Sequence, residues 1–199
     1  MRFDAEQRFT VSVDRLLELF TDPDFYPTLT GLPEISVPEI VDHDASGDIV
    51  RIDLRQRYTG DLPSAARSMI DPDRLTWIER LVFDLDRATA TTRLVPDHYP
   101  DRLTCTGVYT FRAGPDGVET SVRRLEGDLK VRVPLVGGRV ENALVNGLQQ
   151  HARAERDLIA GRLALESTKK SGTKKSGTPK SGTAKSGSKK AKKPKKKAG

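Results

Sequence analysis

The chain of 199 residues carries 34 Lys and Arg against 28 Asp and Glu, which gives a net charge of +6. The positive excess is confined to residues 167–199, which hold thirteen lysines and no acid, so residues 1–166 have 21 cations against 28 acids. The two parts are expected to have different partners, because a cationic segment attracts polyanions and an acidic domain repels them.

Composition also excludes several classes of protein. One cysteine, Cys105, excludes an intrachain disulfide, and the three histidines fall in different predicted elements without the spacing of metal ligands. The first nine residues, MRFDAEQRF, are charged and have no apolar run behind them, so we expect neither a signal peptide nor a membrane anchor. The sequence therefore predicts a cytoplasmic protein without a metal, a cofactor or a transmembrane segment, and its oligomeric state stays open.

Residues 1–166 suit a single domain, which begins with a strand and two short helices. Apolar and charged side chains alternate over residues 3–11, a pattern that predicts a half-buried strand. Ser12 then precedes a stripe of apolar residues at helical spacing that ends at Phe20, and its hydroxyl is placed to cap that helix. Pro23 ends the first helix and can begin the second.

Apolar and polar side chains then alternate with a period of two residues for about a hundred residues, which predicts six strands. The alternation begins with Ile35, Val37 and Val41, and its clearest turn is Gly114-Pro115-Asp116-Gly117. Because the links between these strands are short, neighbouring strands must be antiparallel.

The last element before the lysine-rich segment is a helix. After Gly137 and Gly138, apolar residues recur at Val140, Leu144 and Leu148 opposite a polar face, which predicts an amphipathic helix of roughly seven turns. A strand, two helices, six strands and a long helix predict an antiparallel sheet that curls around the final helix.

Three segments in this order resemble the START-like superfamily, also called SRPBCC or helix-grip. They are the opening FTVSVDRLLELFTDPDFYPTL, the run of six strands, and the stretch GDLKVRVPLVGGRVENALVNGL that leads into the last helix. They cover nearly all of residues 1–165 and are most similar to an actinobacterial branch of that superfamily. The resemblance implies an α+β helix-grip fold with a seven-stranded curved antiparallel sheet. It also implies an apolar cavity that holds a lipid, sterol or polyketide-like molecule.

Polar residues in phase with apolar ones are the candidates for contact with such a ligand. Together with their aromatic neighbours, these cavity candidates are Gln56, Tyr58, Trp77, Glu79, Tyr109, Phe111, His151 and Glu155. Each has a plainer interpretation as a packed residue with local partners, and Glu79 could form an ion pair with Arg124 inside the sheet. No phosphate-binding or nucleophile-elbow motif is present, so Glu79 and His151 are the only general acid or base candidates and no catalytic residue is assigned.

The lysine-rich segment, residues 167–199, reads as four pentads of the Lys-Ser-Gly-Thr type followed by a dense lysine run. Such a composition predicts a flexible coil, because no apolar residue compensates the entropy of ordering it. It resembles the tails of bacterial histone-like and linker-histone-like proteins, which implies nonspecific DNA binding and a nucleoid location. The candidate nucleic-acid contacts are its lysines: Lys169, Lys170, Lys174, Lys175, Lys180, Lys185, Lys189, Lys190, Lys192, Lys193, Lys195, Lys196 and Lys197.

Three functional hypotheses follow. The first, which we prefer, is a noncatalytic carrier or sensor of a hydrophobic small molecule that the lysine-rich segment tethers to nucleic acid or another polyanion. The second is an enzyme of the cyclase or hydratase kind that uses Glu79 or His151. The third gives the main function to the lysine-rich segment, with residues 1–166 as an inert fold. RNA, DNA and anionic lipid headgroups stay open as partners of that segment, and so does a purely solubilising role.

Overall fold

A computed structural model of the protein describes residues 1–62, 64–67, 70–134 and 137–172. The strands and helices in chain order are β1 (Arg2–Phe9), α1 (Val13–Thr21), a 3-10 helix (Pro23–Thr28), β2 (Glu39–Ser46), β3 (Ile49–Arg57), α2 (Ser64–Arg67), a second 3-10 helix (Pro72–Arg74), β4 (Thr76–Asp84), β5 (Thr89–Pro96), β6 (Leu103–Gly114), β7 (Gly117–Val131) and α3 (Gly137–Gly172).

All seven strands form one sheet in the order β1-β7-β6-β5-β4-β3-β2, and every neighbouring pair is antiparallel. The sequence predicted these antiparallel pairings correctly. Short links require them for β2-β3, β4-β5, β5-β6 and β6-β7, and the longer link of residues 58–75 also returns the chain antiparallel, from β3 to β4. Only β1 joins out of order, beside β7, and this pairing places the first and last strands together beneath α3. Within the described residues, no helix is long and apolar enough to cross a membrane.

Local signals fix the two helical elements that follow β1. The Ser12 hydroxyl accepts a hydrogen bond from the Arg15 backbone N–H at 3.3 Å, which confirms the predicted cap of α1. The Asp22 carboxylate does the same for the 3-10 helix, accepting from the Asp24 N–H at 2.9 Å, and Pro23 occupies its first turn. These caps turn the chain so that Phe20 and the residues after it pack onto the concave face of the sheet.

The concave face carries two groups of buried side chains. One lies beneath α1 and the 3-10 helix and includes Leu16, Phe25, Ile52 and Ile159. The other lies beneath the first turns of α3 and includes Val140. Each such side chain contributes about 1.5–3 kcal/mol when buried, so both ends of the sheet hold the helix in place.

One close approach on this face requires a glycine. A Cβ at Gly127 would collide with the Phe3 ring and lie 2.7 Å from the Thr106 carbonyl oxygen, closer than real contacts allow. The absent side chain lets the Phe3 ring lie directly over β7.

Two predicted boundaries differ from the observed ones. The first strand after the helices begins at Glu39 and not at Ile35, which makes only an isolated bridge to Tyr58. Val41 is 53% exposed, because β2 is an edge strand with little packed over it, and Val37, at 39%, lies in the loop before that strand. Helix α3 also continues to Gly172, so residues 167–172 are helical and not coil as predicted; residues 173–199, with eleven of the thirteen lysines, lie outside the described residues.

Candidate functional site

The concave face of the sheet and helix α3 enclose two adjoining cavities of about 120 and 90 Å³. We call the larger one the polar cavity, because its walls include the side chains of Gln7, Glu79, Arg123, His151 and Glu155. The smaller one is the apolar cavity, with walls built mainly from aliphatic and aromatic side chains. The residues that border both are Ile35, Trp77, Leu94, Cys105 and Leu148. One layer of side chains therefore separates two halves of a single interior.

A buried ion pair lies at the side of the polar cavity where α3 crosses β7 and β1. The Arg123 guanidinium donates to the Glu155 carboxylate at 2.6 Å, and both side chains are about nine-tenths buried. Gln7 of β1 adds a hydrogen bond from Nε2 to the same Glu155 oxygen at 2.9 Å and another to the Ala152 carbonyl at 2.5 Å. The charges are thus paired, and the cost of burying them is offset by direct contacts.

Aromatic rings also hold the guanidinium of Arg123. Its central carbon lies 4.1 Å from the ring centroid of Phe20 and 4.7 Å from that of Tyr109, distances at which a cation is attracted to an aromatic face. Glu155 therefore neutralises the charge of Arg123, and the two rings cover its guanidinium group. Arg123 has little capacity left to bind a ligand anion.

Glu79 is the carboxyl group in the polar cavity that lacks a cation directly against it. Its Oε1 accepts a hydrogen bond from the Thr92 hydroxyl at 2.7 Å. Burial raises the pKa of the Glu79 carboxyl above its ordinary value, and the charge of Glu155 adds to this effect, while Thr92, His151 and Arg123 oppose it. The carboxyl is therefore biased toward its neutral form, in which it can donate a hydrogen bond into the cavity.

His151 is oriented by a backbone carbonyl. Its Nδ1 lies 2.9 Å from the Pro33 oxygen. Because a carbonyl oxygen can only accept, Nδ1 must carry a hydrogen, and Nε2 is then an acceptor in the neutral ring and a donor in the charged one. With the ring neutral, His151 and Glu79 bring an acceptor and a donor to the walls of the same cavity.

Two further side chains of the polar cavity satisfy each other. The Trp77 indole N–H donates to the Gln56 amide oxygen at 3.0 Å, and both residues are buried. This bond fixes the indole in the layer between the cavities. One polar atom nearby has no such partner: the Gln7 amide oxygen is buried without a hydrogen bond to any described residue.

The apolar cavity has its polar groups at the rim. Tyr58 and Glu34 lie on one side, and Tyr99 and Arg102 on another. Burial, and a hydrogen bond with Glu34, raise the pKa of the Tyr58 hydroxyl well above its ordinary value. Glu34 has a φ of 70°, a left-handed conformation that is uncommon outside glycine and that turns the loop before β2 toward α3.

Family comparison identifies the chain at this point. Residues 4–163 match the family described as protein of unknown function, DUF2505. The chain belongs to the DUF2505 family. No curated protein matches its sequence.

Solved structures show which fold this DUF2505 chain shares. TTHA0849 from Thermus thermophilus aligns with a TM-score of 0.56 at 15% identity, over 84% of this chain and 99% of that one. The Zhui aromatase/cyclase from Streptomyces sp. R1128 aligns with 0.56 at 14% identity, over 81% and 92%. A START superfamily protein from Mycobacterium smegmatis aligns with 0.50 at 15% identity, over 82% and 97%. The DUF2505 domain therefore has the START-like helix-grip fold.

The residues predicted from the sequence as cavity candidates all border the interior of the DUF2505 domain. Tyr58 lies in the apolar cavity, Trp77 borders both cavities, and the others line the polar cavity: Gln56, Glu79, Tyr109, Phe111, His151 and Glu155. Whether they bind a ligand stays a prediction. The suggested partner of Glu79 was wrong, because Arg124 faces outward and pairs with Glu126 at 3.0 Å, while its neighbour Arg123 faces inward.

Sequence reasoning missed several residues of the site. Gln7 and Arg123 are the most important, because they complete the network around Glu155. Both were detectable by the rule that selected the other candidates, since Gln7 is in phase with Phe3 and Phe9, and Arg123 is in phase with Leu125. No sequence pattern signals Tyr99 and Arg102, which lie in a loop. Among the described residues, no cluster of three His, Cys, Asp or Glu side chains could hold a metal ion.

Proposed function

We propose that this protein binds and carries a hydrophobic small molecule of the lipid or polyketide-like class in the divided interior, without transforming it. The observation that carries the proposal is the apolar cavity, whose walls offer Leu, Ile, Val and aromatic side chains to a ligand. Displacing water from such a surface favours binding by about 25 cal/mol for each Å² of apolar area that is covered. A chain that enters there lies against Trp77 and Leu148, which also border the polar cavity.

The hydrogen bonds of the polar cavity support carriage over catalysis. Arg123, Glu155 and Gln7 bind one another, and Trp77 binds Gln56. Among the described residues, the groups that remain for a ligand are few: the Gln7 amide oxygen, the second oxygen of Glu79, Nε2 of His151 and the Tyr109 hydroxyl. A few fixed polar groups in an apolar pocket give orientation and specificity to binding.

The test uses the single tryptophan as the reporter. Trp77 borders both cavities, so titration with the neutral fluorophore N-phenyl-1-naphthylamine should quench its emission and saturate at one molecule per chain. Leu148→Arg places a charge at the layer between the cavities and should weaken this binding at least tenfold. Leu165→Arg is the matched control on the same helix, where the side chain is 67% exposed, and should bind as the natural protein does. Linear, non-saturating quenching, or equal binding by the two variants, contradicts the proposal, provided that circular dichroism shows both folded.

A second candidate, an enzyme of the cyclase or hydratase kind, is favoured by one observation. Glu79 with a raised pKa and His151 with a free acceptor nitrogen line the same cavity, and together they could protonate one atom of a bound polyketide-like chain and deprotonate another. If so, Glu79→Gln and His151→Ala should each lower turnover at least tenfold in folded protein. Unchanged turnover in both variants removes this candidate.

We further propose that the lysine-rich segment, residues 167–199, tethers the domain to nucleic acid, and so to the nucleoid, or to another polyanion. The support is charge alone: thirteen lysines without an acid follow a domain with seven more acids than cations. Neutralising phosphates with lysines releases condensed counterions, which drives binding without sequence preference. The salt dependence that tests this proposal is given in the Discussion.

A further inference from the structure

We infer that the rim of the apolar cavity binds the carboxylate of a fatty acid, through the guanidinium groups of Arg102 and Arg74. The inference rests on the proposed function, since it assigns a head group and a recognition site to the hydrophobic ligand. Its basis is a pair of cations that contact the same aromatic ring beside the cavity.

The two guanidinium groups share one aromatic ring. The central carbons of Arg74 and Arg102 each lie 5.5 Å from the ring centroid of Tyr99, within the range of cation–π attraction. The Tyr99 carbonyl accepts from the Arg102 N–H at 2.9 Å, and its backbone has a left-handed φ of 57°. The loop after β5 therefore holds the Tyr99 ring in place, and the ring is contacted by Arg102 of the same loop and by Arg74 of the segment before β4.

Neither cation has a carboxylate partner among the described residues. Most other arginines of the described part form ion pairs, whereas Arg74, apart from its contact with the Tyr99 ring, has one side-chain hydrogen bond, with His98 at 3.4 Å. Of the two acids just before it, Asp71 accepts from the Asp73 backbone N–H, and Arg74 forms an ion pair with neither. Two exposed like charges against one ring repel each other, and a bound anion would relieve that repulsion.

The position of these cations indicates what the anion is attached to. Tyr99 and Arg102 both border the apolar cavity, and Arg102 is also exposed, so the cavity reaches the surface beside it. A carboxylate bound by the Arg102 guanidinium would thus lie at the opening while its chain lies inside, and Arg74, on the same Tyr99 ring, would add a second positive charge nearby. Leu103, Leu129 and Val131 form the nearby wall. A guanidinium suits a carboxylate because its planar donors can bind both oxygens.

The polar cavity is a poorer site for the same anion. Its arginine, Arg123, is already neutralised by Glu155, and Glu79 adds a second acid. Of the other titratable groups there, His151 donates to Pro33, and burial raises the pKa of Tyr26, Cys105 and Tyr109, which favours their neutral forms. At the rim of the apolar cavity, Glu34 lies near the end of β3, while Arg102 precedes β6, so β4 and β5 separate them by roughly 14 Å at ordinary strand spacing.

The experiment compares twelve-carbon ligands that differ only in the head group. Dodecanoate and dodecanol are titrated into the full chain against Trp77 fluorescence, at neutral pH and low salt. We expect dodecanoate to bind at least tenfold more tightly than dodecanol. The double variant Arg74→Gln/Arg102→Gln should remove that difference and leave dodecanol binding unchanged. Arg112→Gln, an exposed arginine on the outer face of β6, is the control for loss of one positive charge.

The outcomes separate the inference from the proposed function. If dodecanol binds as tightly as dodecanoate, or if the double variant binds dodecanoate as the natural protein does, the carboxylate site is wrong and the hydrophobic carrier stands. If neither ligand binds, both proposals fail. An equal loss of dodecanoate and dodecanol binding in the double variant also contradicts a head-group site, because it would reflect a change in the cavity itself.

Discussion

The carboxylate of Glu155 and the guanidinium of Arg123 meet at 2.6 Å and join helix α3 to strand β7 inside the domain. Because the pair is buried, breaking it leaves an uncompensated charge. We expect Glu155→Gln to lower the free energy of unfolding by about 3–5 kcal/mol in urea denaturation. Glu6→Gln removes the partner of Arg8 in an exposed pair and should cost at most about 1 kcal/mol. Similar small losses in the two variants would show that the buried pair does not hold the helix.

The pH dependence of stability should reveal the raised pKa of Glu79. In the unfolded chain this carboxyl ionises near its ordinary pKa of about 4.3, while in the folded protein it keeps its proton to higher pH. Between these two values the folded state binds more protons, so stability falls as pH rises and then levels off above the folded pKa. Glu79→Gln imitates the protonated form. Its stability relative to the natural protein should therefore increase from about pH 4 upward, as measured by urea unfolding at several pH values.

The control for that series is Glu119→Gln, an exposed carboxyl at the start of β7. The difference in free energy of unfolding between Glu119→Gln and the natural protein should not increase with pH in the same way. If the difference in free energy of unfolding between Glu79→Gln and the natural protein stays constant as pH changes, burial does not bias the Glu79 carboxyl toward its neutral form.

The single thiol of the chain gives a direct measure of how closed the interior is. Burial raises the pKa of Cys105 to about 12, against about 8.5 for a free cysteine. At pH 8 the reactive thiolate should be more than a thousandfold scarcer than in the unfolded chain, so iodoacetamide should label the folded protein correspondingly slowly. Labelling rates in buffer and in denaturant, followed by mass spectrometry, measure the difference. Equal rates would place the thiol in open contact with solvent.

The lysine-rich segment predicts salt-dependent binding to duplex DNA. If about six lysines neutralise phosphates, the logarithm of the binding constant should fall with the logarithm of salt concentration at a slope near −5. A chain shortened to residues 1–172 keeps helix α3 but loses eleven lysines, and it should lose this binding with little change in melting temperature. Fluorescence anisotropy of a labelled duplex at several salt concentrations measures the binding of the full chain and of the shortened chain. Salt-sensitive binding by the shortened chain, or none by the full chain at low salt, would leave the segment with a solubilising role.

Much of this architecture could be predicted from local patterns. Alternation over β3 to β7 is a property of consecutive residues, so it identified the strands and placed Trp77 and Glu79 on the inner face before any contact was known. The Ser12 cap and the stripe on α1 are equally local. The same rule failed at Val41, because alternation does not show whether any element covers a strand.

The tertiary structure decided which groups meet. Arg123 and Arg124 are neighbours in the sequence and face opposite sides of β7, but only the packing of α3 against that strand brings Glu155 to within 2.6 Å of Arg123. Likewise, Arg74 and Arg102 come together on Tyr99 from separate loops. The sequence alone determined the order of elements, the faces of the strands and the division of charge between the domain and its lysine-rich segment, because these depend on spacing and composition. The partners of each buried charge depend on contacts between distant residues, which arise only when the sheet closes around the helix.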